Sequence, residues 1–126
     1  MIDALFGSAN YVSAKKMLDV TVLRHEAIAS NLANVETPNY KRLDVNPSFD
    51  NQLKLAVASQ NTDSIANLQP QLSVDTAANA GRADGNTVEL DTELMNLDQN
   101  MVEHALETQL VSGSLMKMQM AITGKA

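Results

Sequence analysis

Residues 90–122 read LDTELMNLDQNMVEHALETQLVSGSLMKMQMAI, and stepping through them by threes and fours picks out Leu90, Leu94, Leu97, Met101, His104, Thr108, Val111, Leu115, Met118 and Ile122. Eight of these ten positions are apolar, which is the period of a coiled-coil seam. Just upstream, Asn86 with Glu89 three residues on has the form of a capping box, and Asp91 and Glu93 suit the positive end of a helix. The spacing therefore predicts a helix over 87–123, with Lys117 and Lys125 near its negative end. Gly113, between Ser112 and Ser114, interrupts the pattern; a mid-helix glycine costs about 1 kcal/mol, and this one marks a bend or a close approach of another helix.

The same stepping over 9–35 gives Tyr11, Ala14, Leu18, Thr21, His25, Ile28, Leu32 and Val35, six of them apolar. Pro38 stops this second helix, and Thr37 before it is biased towards extended geometry. Between the two helices, residues 42–86 are rich in Asn, Gln, Ser, Thr, Asp and Ala. Residues 52–58 suggest a short strand or helical turn, Leu72 and Val74 a second piece, and residues 83–86 a turn. The rest of that segment offers little apolar surface to offset its ordering entropy, so loop or disorder is expected there.

The implied fold is all-α: an elongated, coiled-coil-like antiparallel pair of N- and C-terminal helices with an irregular, partly disordered middle. Residues 1–41 hold the first helix, 42–86 the middle loop and 87–126 the last helix, the two helices forming one domain. A helix over 87–123 is about 55 Å long, against a radius of gyration of roughly 14 Å for a compact chain of this length. Laid antiparallel with Tyr11 level with Ile122 and Val35 level with Leu97, the seams place Leu18 opposite Leu115, Leu32 opposite Met101 and Ile28 beside His104. Two helices alone leave apolar surface wet, and the missing third surface is most simply another copy or another chain.

Composition narrows the function. Nine Lys and Arg against fifteen Asp and Glu give a net charge of −6 over 126 residues, which argues against nucleic acid as a partner. The acidity accumulates towards the C-terminus, residues 87–126 holding six acids and two bases. Cysteine is absent, so disulfides, zinc-thiolate sites and thiol catalysis are excluded. Only Phe6, Tyr11, Tyr40 and Phe49 are aromatic, so the core must be aliphatic and Met-based. No run approaches the roughly 18 apolar residues of a membrane span, so no membrane insertion is expected. The opening MIDALFG lacks a basic region before an apolar run and does not read as a cleavable secretory signal.

Catalytic and metal motifs fail one by one. His25-Glu26 begins like a zinc helix, but Ala29 stands where the second histidine belongs. His25 and His104 are a candidate metal pair in the register above, although two seam histidines satisfied by water, backbone or Thr are the plainer reading. Ser13-Ala-Lys15-Lys16 fits S-x-x-K with none of the accompanying motifs. A calcium loop with Gly85 at its sixth position would put Ala80 and Arg82 at ligand positions. The five methionines Met95, Met101, Met116, Met118 and Met120 read as adaptable packing. No enzyme, metal or cofactor is expected.

Two segments carry a family likeness. Residues 29–41, ASNLANVETPNYK, resemble the N-terminal signature of bacterial flagellar axial proteins, the rod and hook group, in which a helix ends in a run like A-x-N-x-A-N-x-x-T-P-x-Y. Residues 84–95, DGNTVELDTELM, look like the segment that opens the C-terminal helix in rod proteins. With their flanking helices they cover about two thirds of the chain. The short length and short C-terminal tail are most similar to the proximal-rod, FlgB-type family, the C-type rod family (FlgC) being the nearest competitor. One departure is His104, where many relatives carry an aromatic, usually Tyr.

The resemblance implies a structural subunit of the periplasmic basal-body rod, exported by the flagellar type III apparatus without a cleaved signal. It implies packing against other copies, neighbouring rod proteins and a FliE-type protein. The subunit-packing positions are then Leu18, Ile28, Leu32, Leu90, Leu94, Leu97, Met101, Val111, Leu115, Met118 and Ile122. The signature turn is Asn31, Asn34, Thr37, Pro38 and Tyr40, where ordinary helix capping and an intersubunit role both stand. The alternatives are a soluble coiled-coil regulator or export chaperone forming a finite oligomer, and an amphipathic helix lying on a membrane. The acidic polar faces argue against the latter.

Overall fold

The computed structural model describes residues 8–79 and 81–124; the opening MIDALFG segment and Lys125 lie outside them. Helix α1 spans Ala9–Ala33, β1 Leu43–Val45, α2 Ser48–Ala58, α3 Thr62–Asn67, β2 Leu72–Val74 and α4 Leu90–Thr123. Ser8 caps α1 by accepting from Tyr11 N, and Asn61 caps α3 by accepting from Ser64 N. At the far end of α1 the Asn34 amide turns back to donate to Ser30 O at 2.8 Å. The chain is mostly helical, with α1 and α4 packed side by side as an antiparallel pair. No helix among the described residues is long and apolar enough to cross a membrane.

The middle segment is not the expected irregular loop. It holds α2, α3 and an antiparallel two-stranded sheet in which Leu43 faces Val74 and Val45 faces Leu72. Phe49, Leu53 and Ala56 recur on one face of α2, and with Val45 and Ile65 they close over Val20 of α1 as the hydrophobic core. Each large side chain so buried contributes about 1.5–3 kcal/mol. The apolar residues of this segment are few but correctly spaced, and α1 supplies the surface that lets them repay their ordering cost. Helix α1 is therefore packed on two sides: Val20 lies towards the middle segment and Thr21 towards α4, with Ala27 and Ile28 also buried.

Three further differences concern α4. It begins at Leu90, not at 87, because Asn86, Thr87 and Val88 are buried in extended chain and the Asn86 side chain is engaged elsewhere. Its register against α1 is displaced: Thr21 meets Asn100 and His104, Arg24 meets Glu103, and Asn31 meets Glu93. That is a slide of about eight residues, or roughly 12 Å, from the seam-on-seam pairing. The helix is also turned. Glu93 and Asn100 face α1, whereas Leu94 and Met101, one residue on and so about 100° round, do not. Specific polar bonds, rather than the apolar period, choose the inward face.

Candidate functional site: the signature junction and the outer face of the last helix

The two segments that carry the family likeness dock on each other. After α1 the chain turns through Thr37 and Pro38, and Asn39 adopts a left-handed φ of 61°. Residues 39–42 then run beside 84–87, with Asn39 N donating to Asp84 O, Thr87 N to Tyr40 O and Arg42 N to Thr87 Oγ1. Asn86, fully buried, is the pin: its Nδ2 donates to the carbonyls of Asn34, Val35 and Thr37 at 2.8–3.1 Å, and its Oδ1 accepts from Val88 N. These carbonyls belong to the turn that follows α1, where Asn34 O also accepts from Thr37 N and Thr37 O from Tyr40 N. Arg82 adds a second donor to Val35 O at 2.7 Å. Tyr40 folds back on α1, its hydroxyl donating to Asn31 Oδ1 and accepting from Ser30 Oγ.

Gly85 sits in this junction with φ 75°, and a Cβ there would lie 2.5 Å from Asn39 Oδ1. Gly85→Ala is therefore expected to destabilise the fold by about 1–3 kcal/mol, since it adds left-handed strain to displacement of a neighbour. Urea denaturation checks it. An unchanged midpoint would mean that the turn relaxes freely.

Asn31 ties the junction to α4. Its amide pairs with both backbone groups of Leu43, as a neighbouring strand would, and its Nδ2 also reaches Glu93 Oε1 at 2.9 Å. Glu93 has no exposed surface. Its other oxygen accepts from Arg42 Nε at 2.8 Å, and Arg42 Nη1 spreads to Asp44 and Asp75. One guanidinium thus clamps β1, the residue after β2 and the first turn of α4. Burial works against the Arg42 charge, but the bonds to Glu93 and Asp44 outweigh it and raise its basicity further. Beside this node a groove of about 500 Å³ is walled in part by Arg24, Asp44, Glu103 and Glu107. There burial first, and the Glu103 charge second, raise the Glu107 carboxyl above the usual carboxylate range.

The expected packing positions separate into three groups. Ile28 and Met118 are buried, while Leu18, Leu32, Leu97 and Val111 are half-buried. Leu90, Leu94, Met101, Leu115 and Ile122 are exposed, Met101 by 58%. A second outward row, which the seam stepping does not collect, consists of Met95, Val102, Leu106, Leu110, Met116 and Met120, with Met95 71% exposed and Val102 69% exposed. Gly113 lies on this outer side of an unbroken helix, with nothing within 4 Å of where its Cβ would be.

Of the signature residues, Asn31, Asn34 and Tyr40 bond within the chain, and Thr37 donates to Asn34 Oδ1 while its backbone carbonyl receives Asn86. Pro38 is exposed in the turn. Arg42 and Asn100 stand in no motif, and Asn86, Glu93 and Arg82 stand in motifs that give them other roles or none. The one available signal was that Glu93 and Asn100 interrupt no apolar step, yet stand seven apart beside it.

No family model matches the chain. Among curated proteins, the flagellar basal body rod protein FlgB of Borrelia hermsii is 30% identical over 115 residues, covering 77% of this chain and 83% of the relative. FlgB of Aquifex aeolicus is 29% identical, covering 89% of this chain and 91% of its own length. FlgB of Bacillus subtilis is 27% identical, at 81% and 84% coverage. With the two signature segments docked as one junction beneath paired terminal helices, and relatives matched over most of their length, the chain belongs to the FlgB family of flagellar basal body rod proteins.

Proposed function

We propose that this chain is a structural subunit that assembles helically through α1 and α4 and transmits torque along the rod, with no turnover and no cofactor. The observation that carries this reading is the division of labour on α4. Much of its inward face is spent on polar bonds, to Thr21, Arg24, Asn31 and Arg42, and its apolar residues other than Leu97, Val111 and Met118 are left outside in two rows. Scattered exposed apolar residues are ordinary, whereas rows of them along one long helix mark an interaction surface. The neighbours we infer are other copies, adjacent rod proteins and a FliE-type protein. Delivery to the periplasmic rod is by the flagellar type III export apparatus.

A subunit with so much apolar helix surface gains helix on finding neighbours. Helical circular dichroism of the purified chain is expected to start low and climb with concentration, with elongated particles seen by electron microscopy at the upper end. A high signal independent of concentration, with a finite dimer by sedimentation, would overturn the polymer reading and favour a coiled-coil regulator or chaperone.

A further inference from the structure

We propose that Leu55 of one copy seats in the cavity between α1 and α4 of the next copy, an inference that rests on the helical assembly proposed above and names one of its contacts. Leu55 is the knob. On α2 it stands two residues on from Leu53, about 200° round the helix, so it points away from the core that Phe49, Leu53 and Ala56 build with Val20. It is 73% exposed, and the residues one turn away, Asn51, Gln52, Ala58 and Ser59, are exposed and carry no large apolar group. A single exposed leucine is ordinary; a matching hole on the same molecule is not.

The hole is a cavity of about 300 Å³ whose apolar walls are Val22 of α1 and Met101 of α4, both more than half exposed. His25 and His104 also line it, and the bond of His104 Nδ1 to Thr21 Oγ1 at 2.9 Å fixes one ring, so that wall is preformed. Charge favours the same pairing. Asp19 and Glu26 stand one turn either side of Val22, and Asp98 one turn before Met101; all three are exposed and make no ion pair among the described residues. Lys54, next to Leu55, is likewise exposed without an ion pair, and it meets that acidic rim as the leucine enters, which steers the approach. Val22 lies two residues on from Val20, so the cavity opens on the side of α1 away from α2. Knob and hole are therefore on opposite sides of the molecule. Such a contact does not close between two copies: each seated leucine leaves one hole and one knob free, and repetition gives a ring or a helical stack.

The chain has no cysteine, so a pair can be planted in it without background. Full-length Leu55→Cys and Val22→Cys chains are mixed and oxidised with diamide at concentrations where the wild type forms elongated particles. Covalent dimers with one chain of each kind are expected in the mixture and none in either chain alone. Both positions are exposed, and circular dichroism checks that the fold is kept. Leu55→Ser needs no cross-link: it should raise the concentration at which particles appear about tenfold or more, through the lost burial of the leucine. Wild-type particles without a mixed dimer, cross-linking as strong in one variant alone, or a Leu55→Ser chain that assembles like the wild type would each overturn the contact while the polymer reading stands. A wild type that forms no particles overturns both.

Discussion

Arg42→Met is expected to cost about 3–5 kcal/mol of folding stability, because it leaves a buried charge without its partner. Glu93 is wholly buried and keeps only the Asn31 amide once the guanidinium is gone. Asp75, bonded to Arg42 Nη1 at 2.8 Å, would lose its cation, whereas Asp44, at 2.9 Å from the same nitrogen, would keep Arg24 at 3.5 Å. A second variant separates charge from packing. Arg42→Met with Glu93→Leu removes both partners, and should recover most of the loss, as apolar replacement of buried pairs commonly does. If Arg42→Met unfolds at the wild-type urea concentration, the clamp contributes no net stability and α4 is oriented by something else.

The clamp also shows where the sequence stops being legible. The two long helices follow from apolar spacing and, for the first, from Pro38, because those signals are local. Their mutual register does not, since it is set by side-chain bonds between residues some 60–80 apart: Asn31 to Glu93, Arg24 to Glu103, and Asn100 to the Thr21 carbonyl. A period of three and four identifies which residues of α4 share a face, but not whether that face turns to its own α1 or to another molecule. Here one position decides it. Glu93 and Asn100 turn inward, and Leu94 and Met101 are carried outward. The middle segment is illegible for the opposite reason. Its apolar residues look sparse when summed, yet Phe49, Leu53 and Ala56 fall on one helical face, and Val20 of α1 completes their core. Asn86 was read as a helix cap on local spacing and is instead a tertiary pin, three carbonyls of the signature turn competing successfully for its amide.

That geometry chooses the variant that tests assembly. Leu97→Asp is the natural choice from the seam alone, but Leu97 is half-buried inside the hairpin. An aspartate there disturbs the subunit and its contacts together. Val102 is 69% exposed in the middle of the outer row, between Met95 and Leu106. Val102→Asp should leave the isolated chain within about 0.5 kcal/mol of wild type, as exposed substitutions usually do. In an assembled rod the same position is repeated in every subunit. Each copy would then lose the valine burial, about 1.5 kcal/mol or more, and would bury a carboxylate with no partner, which costs several kcal/mol further. Filament formation should be abolished, with sedimentation showing monomer at concentrations where the wild type forms elongated particles. Met101→Asp tests the flanking row in the same way. If Val102→Asp assembles normally and Met101→Asp does not, the neighbour sits on the flank formed by Leu90, Leu94 and Met101, and the outer row around Gly113 faces open space. If both assemble, α4 is not the surface on which the rod is built.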